Sequence, residues 1–200
     1  MKIEVKQVSK GPGEAEFNIL YMGKNIGKIE YKCERGSVDG VAQLYIGQTN
    51  GSINTHMLEH SKEYSARKTR TYYVFDETAE NNRASIYLGS TKLDKFRRYK
   101  SIRFYYKDNI LNMHPLDADN KESSIYKNGK PLASIKEASI DYEDLHNYSL
   151  DINSDDDEDL DVCIMMLTYL YITSYFKSRK EILVYKFNTF LGSLKKKERK

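Results

Sequence analysis

Short alternating runs of apolar and polar residues, each bounded by a polar turn, fill the first three quarters of the chain. Phe17, Ile19 and Tyr21 alternate, Gly23-Lys24-Asn25 reads as a turn, and Ile29, Tyr31 and Cys33 alternate again. Val41 to Ile46 is a further short apolar run. Tyr72 to Phe75 leads through Asp76-Glu77 to Ile86 and Leu88, and Ile102, Phe104 and Tyr106 run into Asp108-Asn109 with Ile110 to Met113 beyond. Ser124 to Lys127 meets Asn128-Gly129 and returns through Leu132 to Ile135, before Tyr148, Leu150 and Ile152 close the series. A period of two predicts strands with one buried face. Asn128-Gly129 is the strongest hairpin signal, because a type I′ turn needs positive φ at both central positions and these residues tolerate it. Hairpins at such short spacing predict an all-β sandwich or barrel.

The period then changes. Val162 to Phe176 contains no charged residue, glycine or proline, with acids crowded before it (Asp155 to Asp161) and Lys177, Arg179 and Lys180 after it. That order of charge suits a helix dipole. Its fifteen residues, at about 1.5 Å each, reach roughly 22 Å, short of the ~30 Å hydrocarbon layer of a membrane. A helix apolar on every side is then a core helix. Enclosing it calls for a closed antiparallel β-barrel of short hairpins, threaded by its C-terminal helix.

The order of meandering hairpins, then Tyr126 to Ile135 (YKNGKPLASI), then Tyr148 to Phe176, resembles the tubby C-terminal-like and phospholipid scramblase-like superfamily, in particular its small bacterial members. The resemblance covers roughly Glu14 to Phe176. It implies a tubby-like barrel around a central helix and, since eukaryotic members are associated with phosphoinositides and membrane surfaces, an anionic lipid surface as partner. No motif here fixes that family's lipid-ligand positions. Ile182 to Leu191 departs from the pattern and is apolar enough for one more strand or helix.

Length and composition fit a single domain over residues 1–190 with a basic tail at 191–200. With 40% hydrophobic and 30% charged residues the chain matches neither a membrane bundle nor a disordered tail. Met1 to Phe17 carries a charge every two or three residues and no apolar core, so it does not read as a signal peptide. Cys33 and Cys163 fit no metal spacing and read as free thiols of a reduced, cytoplasmic protein.

His56-Met57-Leu58-Glu59-His60 matches the H-x-x-E-H of inverted zinc peptidases, in which two histidines one helical turn apart hold the metal and the glutamate is the base. Nothing singles out Glu122, Glu137 or Glu143 as a third ligand. The pentapeptide reads instead as a short surface helix between strands, and zinc hydrolysis is the third-ranked function. Asp151, Asn153, Asp155 and Asp157 alternate as in a calcium loop, but Asp156 and Val162 stand where an EF-hand needs glycine and glutamate. The acidic run reads as a helix cap. No nucleophile elbow, G-x-G-x-x-G or P-loop occurs, so the expectation is a non-catalytic protein with no cofactor and no metal.

The formal net charge of +3 conceals strong segregation. Thr91 to Lys107 carries seven bases against Asp94, and Lys62, Arg67, Lys68 and Arg70 stand against Glu63. Asp117 to Asp161 nets −10, and Lys177 to Lys200 nets +7. The basic stretch is interleaved with Phe96, Tyr99, Phe104 and Tyr105, a composition suited to holding phosphate groups. Lys95, Arg97, Arg98 and Lys100 are the candidate anion-binding residues, on charge clustering alone. The function expected is a cytoplasmic binding module, peripheral to an anionic membrane surface. Its alternative is a protein–protein interaction module using the acidic segment or an exposed edge strand; nucleic acid ranks below both.

Overall fold

The alternation along the chain is realised as strands. The computed structural model describes residues 1–11, 13–33, 40–60, 71–76, 83–88, 102–116, 121–138 and 145–172. Within them lie β1 (Lys2–Gly11), β2 (Glu14–Tyr21), β3 (Lys24–Cys33), β4 (Gly40–Gly47), β5 (Ile53–His60), β6 (Thr71–Asp76), β7 (Arg83–Leu88), β8 (Ile102–Tyr106), β9 (Asn109–Pro115), β10 (Glu122–Lys127), β11 (Lys130–Glu137) and β12 (Asn147–Ile152). A helix, α1 (residues 157–172), follows. The described chain is therefore mostly antiparallel β-sheet with one C-terminal helix.

Each strand pairs antiparallel with the next in sequence, and β1 also pairs with β12, from Lys2↔Asp151 to Lys6↔Asn147. All twelve strands thus have two hydrogen-bonded neighbours. The chain divides into two compact units, Met1–Met166 and Leu167–Lys200. The first contains every described strand and the opening turns of α1. In the second, residues 167–172 continue the helix and all are buried.

In the first unit, one face of the sheet is apolar and buried. Phe17 and Ile19 of β2, Leu44 and Ile46 of β4, Phe104 of β8, Leu111 and Met113 of β9, Ile125 of β10 and Leu150 of β12 all lie on it. From Leu160 to Met166, every helical side chain is buried as well, so this part of α1 has no solvent face. Burying a residue set of this kind at about 25 cal/mol per Å² is the main force holding the unit together.

Several expectations are corrected in detail. The first residues, read only as lacking a signal, form β1: Ile3, Val5 and Gln7 are buried between exposed Lys2, Glu4 and Lys6. The β2–β3 hairpin turns at Met22-Gly23, one residue earlier than expected, with φ of 51° and 76°. The turn expected at Asp108-Asn109 likewise lies at Lys107-Asp108, with Lys107 at φ 50°. Asn128-Gly129 adopts the positive φ pair its sequence calls for, 50° and 81°. His56 to His60 is no surface helix but the second half of β5, paired with β4 and β6. α1 begins earlier than Val162, inside the acidic run, and residues 173–176 lie outside the described residues, as do 182–191 and the tail 191–200.

Candidate functional site

The acidic run before the apolar helix is where the first unit concentrates its polar structure. Asp156 is the N-cap: its carboxylate accepts the Glu158 amide at 2.9 Å, and its own carbonyl accepts the Leu160 amide at 3.1 Å. Asp157, Glu158 and Asp159 then occupy the first helical turn, where the dipole favours negative charge. Because successive positions on a helix point in different directions, these three carboxylates reach three different hairpin turns.

Asp157 faces the β4–β5 turn and accepts the Thr49 amide (3.0 and 3.1 Å) and the Thr49 hydroxyl (2.8 Å). That turn is itself set by Gly51 at φ 85° and by Asn50, whose side chain accepts the Ser52 amide. Glu158 takes Lys107 Nζ (2.6 Å) and Asn109 Nδ2 (3.3 Å) from the β8–β9 turn. Asp159 takes Lys127 Nζ (2.6 Å) from the end of β10, beside the Asn128-Gly129 turn. Asn128 in turn donates to Asn109 Oδ1 (2.9 Å), tying the last two turns together.

One turn deeper, Asp161 is buried and accepts from three side chains. Gln48 Nε2 meets one oxygen at 3.0 Å, while Asn54 Nδ2 (2.9 Å) and His56 Nε2 (3.0 Å) meet the other. His56 is only 1% exposed and lies on the buried face of β5, opposite Leu44. An ion this deep in a protein costs several kcal/mol unless hydrogen bonds replace its water, and this carboxylate has three.

Two titratable groups are displaced here. Partial burial pulls the Lys127 ammonium down, but its hydrogen bond to Asp159 and the charges of Asp159, Glu158 and Asp156 outweigh this and raise it. The Cys163 thiol is pushed well above the ordinary thiol range, first by burial and then by the charge of Asp159, with Lys127 opposing. Cys163 is thus a packed, neutral thiol, and both Cys33 and Cys163 are free.

The zinc pattern is not assembled. In a strand, His56 and His60 are not one helical turn apart, and His56 is turned to Asp161. Among the described residues, no group of three or more His, Cys, Asp or Glu side chains is placed to hold a metal ion. In the acidic run, Asp157, Glu158 and Asp159 hold hairpin turns. Lys95, Arg97, Arg98 and Lys100 lie outside the described residues. Lys107, the last base of the Thr91 to Lys107 stretch, is already paired with Glu158. The Asp161 contacts were missed by sequence reasoning, although a carboxylate at the border of an apolar helix signals a buried polar partner. No helix among the described residues is long and apolar enough to cross a membrane. No family model, curated protein or solved structure matches the chain.

Replacing Asp161 by alanine takes the shared acceptor from buried His56 and from half-buried Gln48 and Asn54, and is expected to cost about 3–5 kcal/mol. Asp161→Asn, which keeps the shape and one acceptor, should cost less. Denaturant melts of both variants measure this, and a loss below about 1 kcal/mol for Asp161→Ala would show the pair to be solvated instead.

Cys163 gives a pH signature. Above about pH 8.5 an unfolded thiol loses its proton, whereas the folded chain keeps it, so the unfolded state gains and stability falls as pH rises. From this group alone the fall approaches about 1.4 kcal/mol per pH unit. Denaturant melts between pH 8.5 and 10 should show a steeper decline for the wild type than for Cys163→Ala. Parallel profiles would contradict the assignment.

Proposed function

We propose that this protein is a non-catalytic, cytoplasmic binding module of the tubby-like kind. In this reading, a closed barrel is threaded by α1, and a basic segment associates with the headgroups of an anionic membrane. The cyclic order of strand pairing and the all-round burial of Leu160 to Met166 support the architecture. With the interior occupied by the protein's own side chains, ligands are left to the outer surface and the loops.

One observation carries the lipid reading. The chain's densest acidic run is engaged internally: Asp156 caps the helix, and Asp157, Glu158, Asp159 and Asp161 hold Thr49, Lys107, Lys127 and His56. In this reading the counter-charge of Lys95, Arg97, Arg98 and Lys100 is the membrane surface rather than this run. A base near an anionic membrane contributes on the order of 1 kcal/mol, so four acting together give measurable, salt-dependent binding.

Liposome flotation with neutral and phosphatidylserine-containing vesicles tests this at low and physiological salt. Binding is expected to the anionic vesicles alone, to weaken with salt, and to drop by more than about tenfold in Arg97→Glu/Arg98→Glu. Absence of binding under every condition would overturn the lipid reading and favour a protein partner.

A further inference from the structure

The outward face of β10, β11 and β12 carries a feature that neither the helix clamp nor the basic segment uses. Opposite Tyr126, β11 contains an extra residue: Ile125 pairs with Ala133 and Tyr126 with Pro131, leaving Leu132 as a bulge. Bulges bend a strand and re-aim its side chains, and proline is tolerated in such a place because ladder pairing is already interrupted. Beside this bulge lies a groove of about 220 Å³.

Four polar side chains converge on the groove: Ser124, Ser134, Asp151 and Asn153. Ser124, Ser134 and Asp151 are directly opposed on three adjacent strands, which places them in one outward row. None of the four side chains hydrogen-bonds to a described residue, in contrast to the carboxylates of the helix start. The Tyr126 ring lines the same groove, braced edge-on by His114 with 5.6 Å between centroids and 69° between planes. Asp151 also lines a neighbouring cavity of about 580 Å³ with Lys2, Glu4, Tyr21, Met22 and Asp155, so the surface continues beyond the groove.

The chemistry of this set is specific. A braced aromatic ring offers a flat apolar face, two hydroxyls and a carboxamide each donate and accept, and one carboxylate accepts only. The groove lining contains no base and one carboxylate, and the continuation past Asp151 adds Lys2, directly opposite it, with Asp155 and a Glu4 carboxylate already paired with Lys6, a mixed set that favours neither a polyanion nor a polycation. Its strands already have two partners each, so a peptide cannot add as another strand. A ligand with an apolar ring face and a rim of hydroxyls that both donate and accept satisfies every group present. We infer that this groove is a saccharide-binding site, with Tyr126 as the platform for a sugar ring and Asp151, Asn153, Ser124 and Ser134 bonding its hydroxyls. The continuation past Asp151 gives room for an oligosaccharide rather than a single sugar.

Saturation-transfer NMR on the full chain, with maltohexaose, cellohexaose and chitohexaose as separate probes, tests the site. Transfer to ring protons of at least one probe is expected, and its affinity should fall by about tenfold or more in Tyr126→Ala and in Asp151→Ala. Ser134→Lys, at an exposed position, should block the groove without touching the core and give the same loss if Tyr126→Ala fails to fold. No transfer from any of the three, or transfer unchanged in folded Asp151→Ala and Ser134→Lys proteins, overturns the inference. Binding of a tetralysine peptide with none of the sugars also overturns it, reassigning the groove to cationic peptides.

Discussion

A carboxylate taken out of water has to be compensated where it lies, and Asp161 is the point on which the first unit depends. Its three donors come from the β4–β5 turn and from β5, while the residue itself belongs to α1. Satisfying all of them fixes both the rotation and the depth of the helix start relative to those strands. An apolar surface alone would not do so, because Leu160, Val162, Ile164 and Met165 offer many nearly equivalent packings. Gln48 also donates to the Ile46 carbonyl at 3.1 Å, so the anchor is continuous with the backbone of β4. Polar groups in a core are costly when half satisfied and specifying when satisfied, and the Asp161 carboxylate has both oxygens bonded.

The same logic extends outward along the first turn of the helix with decreasing burial. Asp159 and Lys127 are partly shielded and form an ion pair of real consequence for the lysine, whereas Glu158 and Lys107 are more exposed and weaker. Asp157 satisfies a turn amide and, among the described residues, pairs with no basic side chain, which is a hydrogen-bonding role. A sequence run that looks like an anionic patch is therefore a set of separate attachments, two of whose charges are met by lysines. This bears on function because the protein's near-neutral total conceals segregated segments, and the acidic one is in part already neutralised by Lys107 and Lys127.

Much of the strand architecture was legible because burial on one face imposes a period of two, as in Phe17, Ile19 and Tyr21 or Tyr148, Leu150 and Ile152. The Asn128-Gly129 turn was legible for a stereochemical reason. Two strands escaped. In β1, frequent charges masked the alternation of Ile3, Val5 and Gln7, the last a buried polar residue that breaks an apolar count. In β5, Asn54 and His56 lie on the inward side because Asp161 needs them there, so only Leu58 marks that face as apolar and the five-residue H-x-x-E-H pattern suggests a helix. Polar residues placed inside for a partner more than a hundred positions away carry no local signal. The groove beside Tyr126 was equally illegible, since it arises from a bulge at Leu132 and from three strands placed side by side.

Native-state hydrogen exchange measures the central claim most directly. If the Asp161 anchor makes the helix start integral to the sheet, the amides of residues 162–166 should exchange only through global unfolding, with the same protection as Leu44 and Leu111 in the strands. Exchange of those helical amides by a separate, lower-energy opening while the strands stay protected would contradict the account, showing α1 to be an addition to a sheet that stands without it.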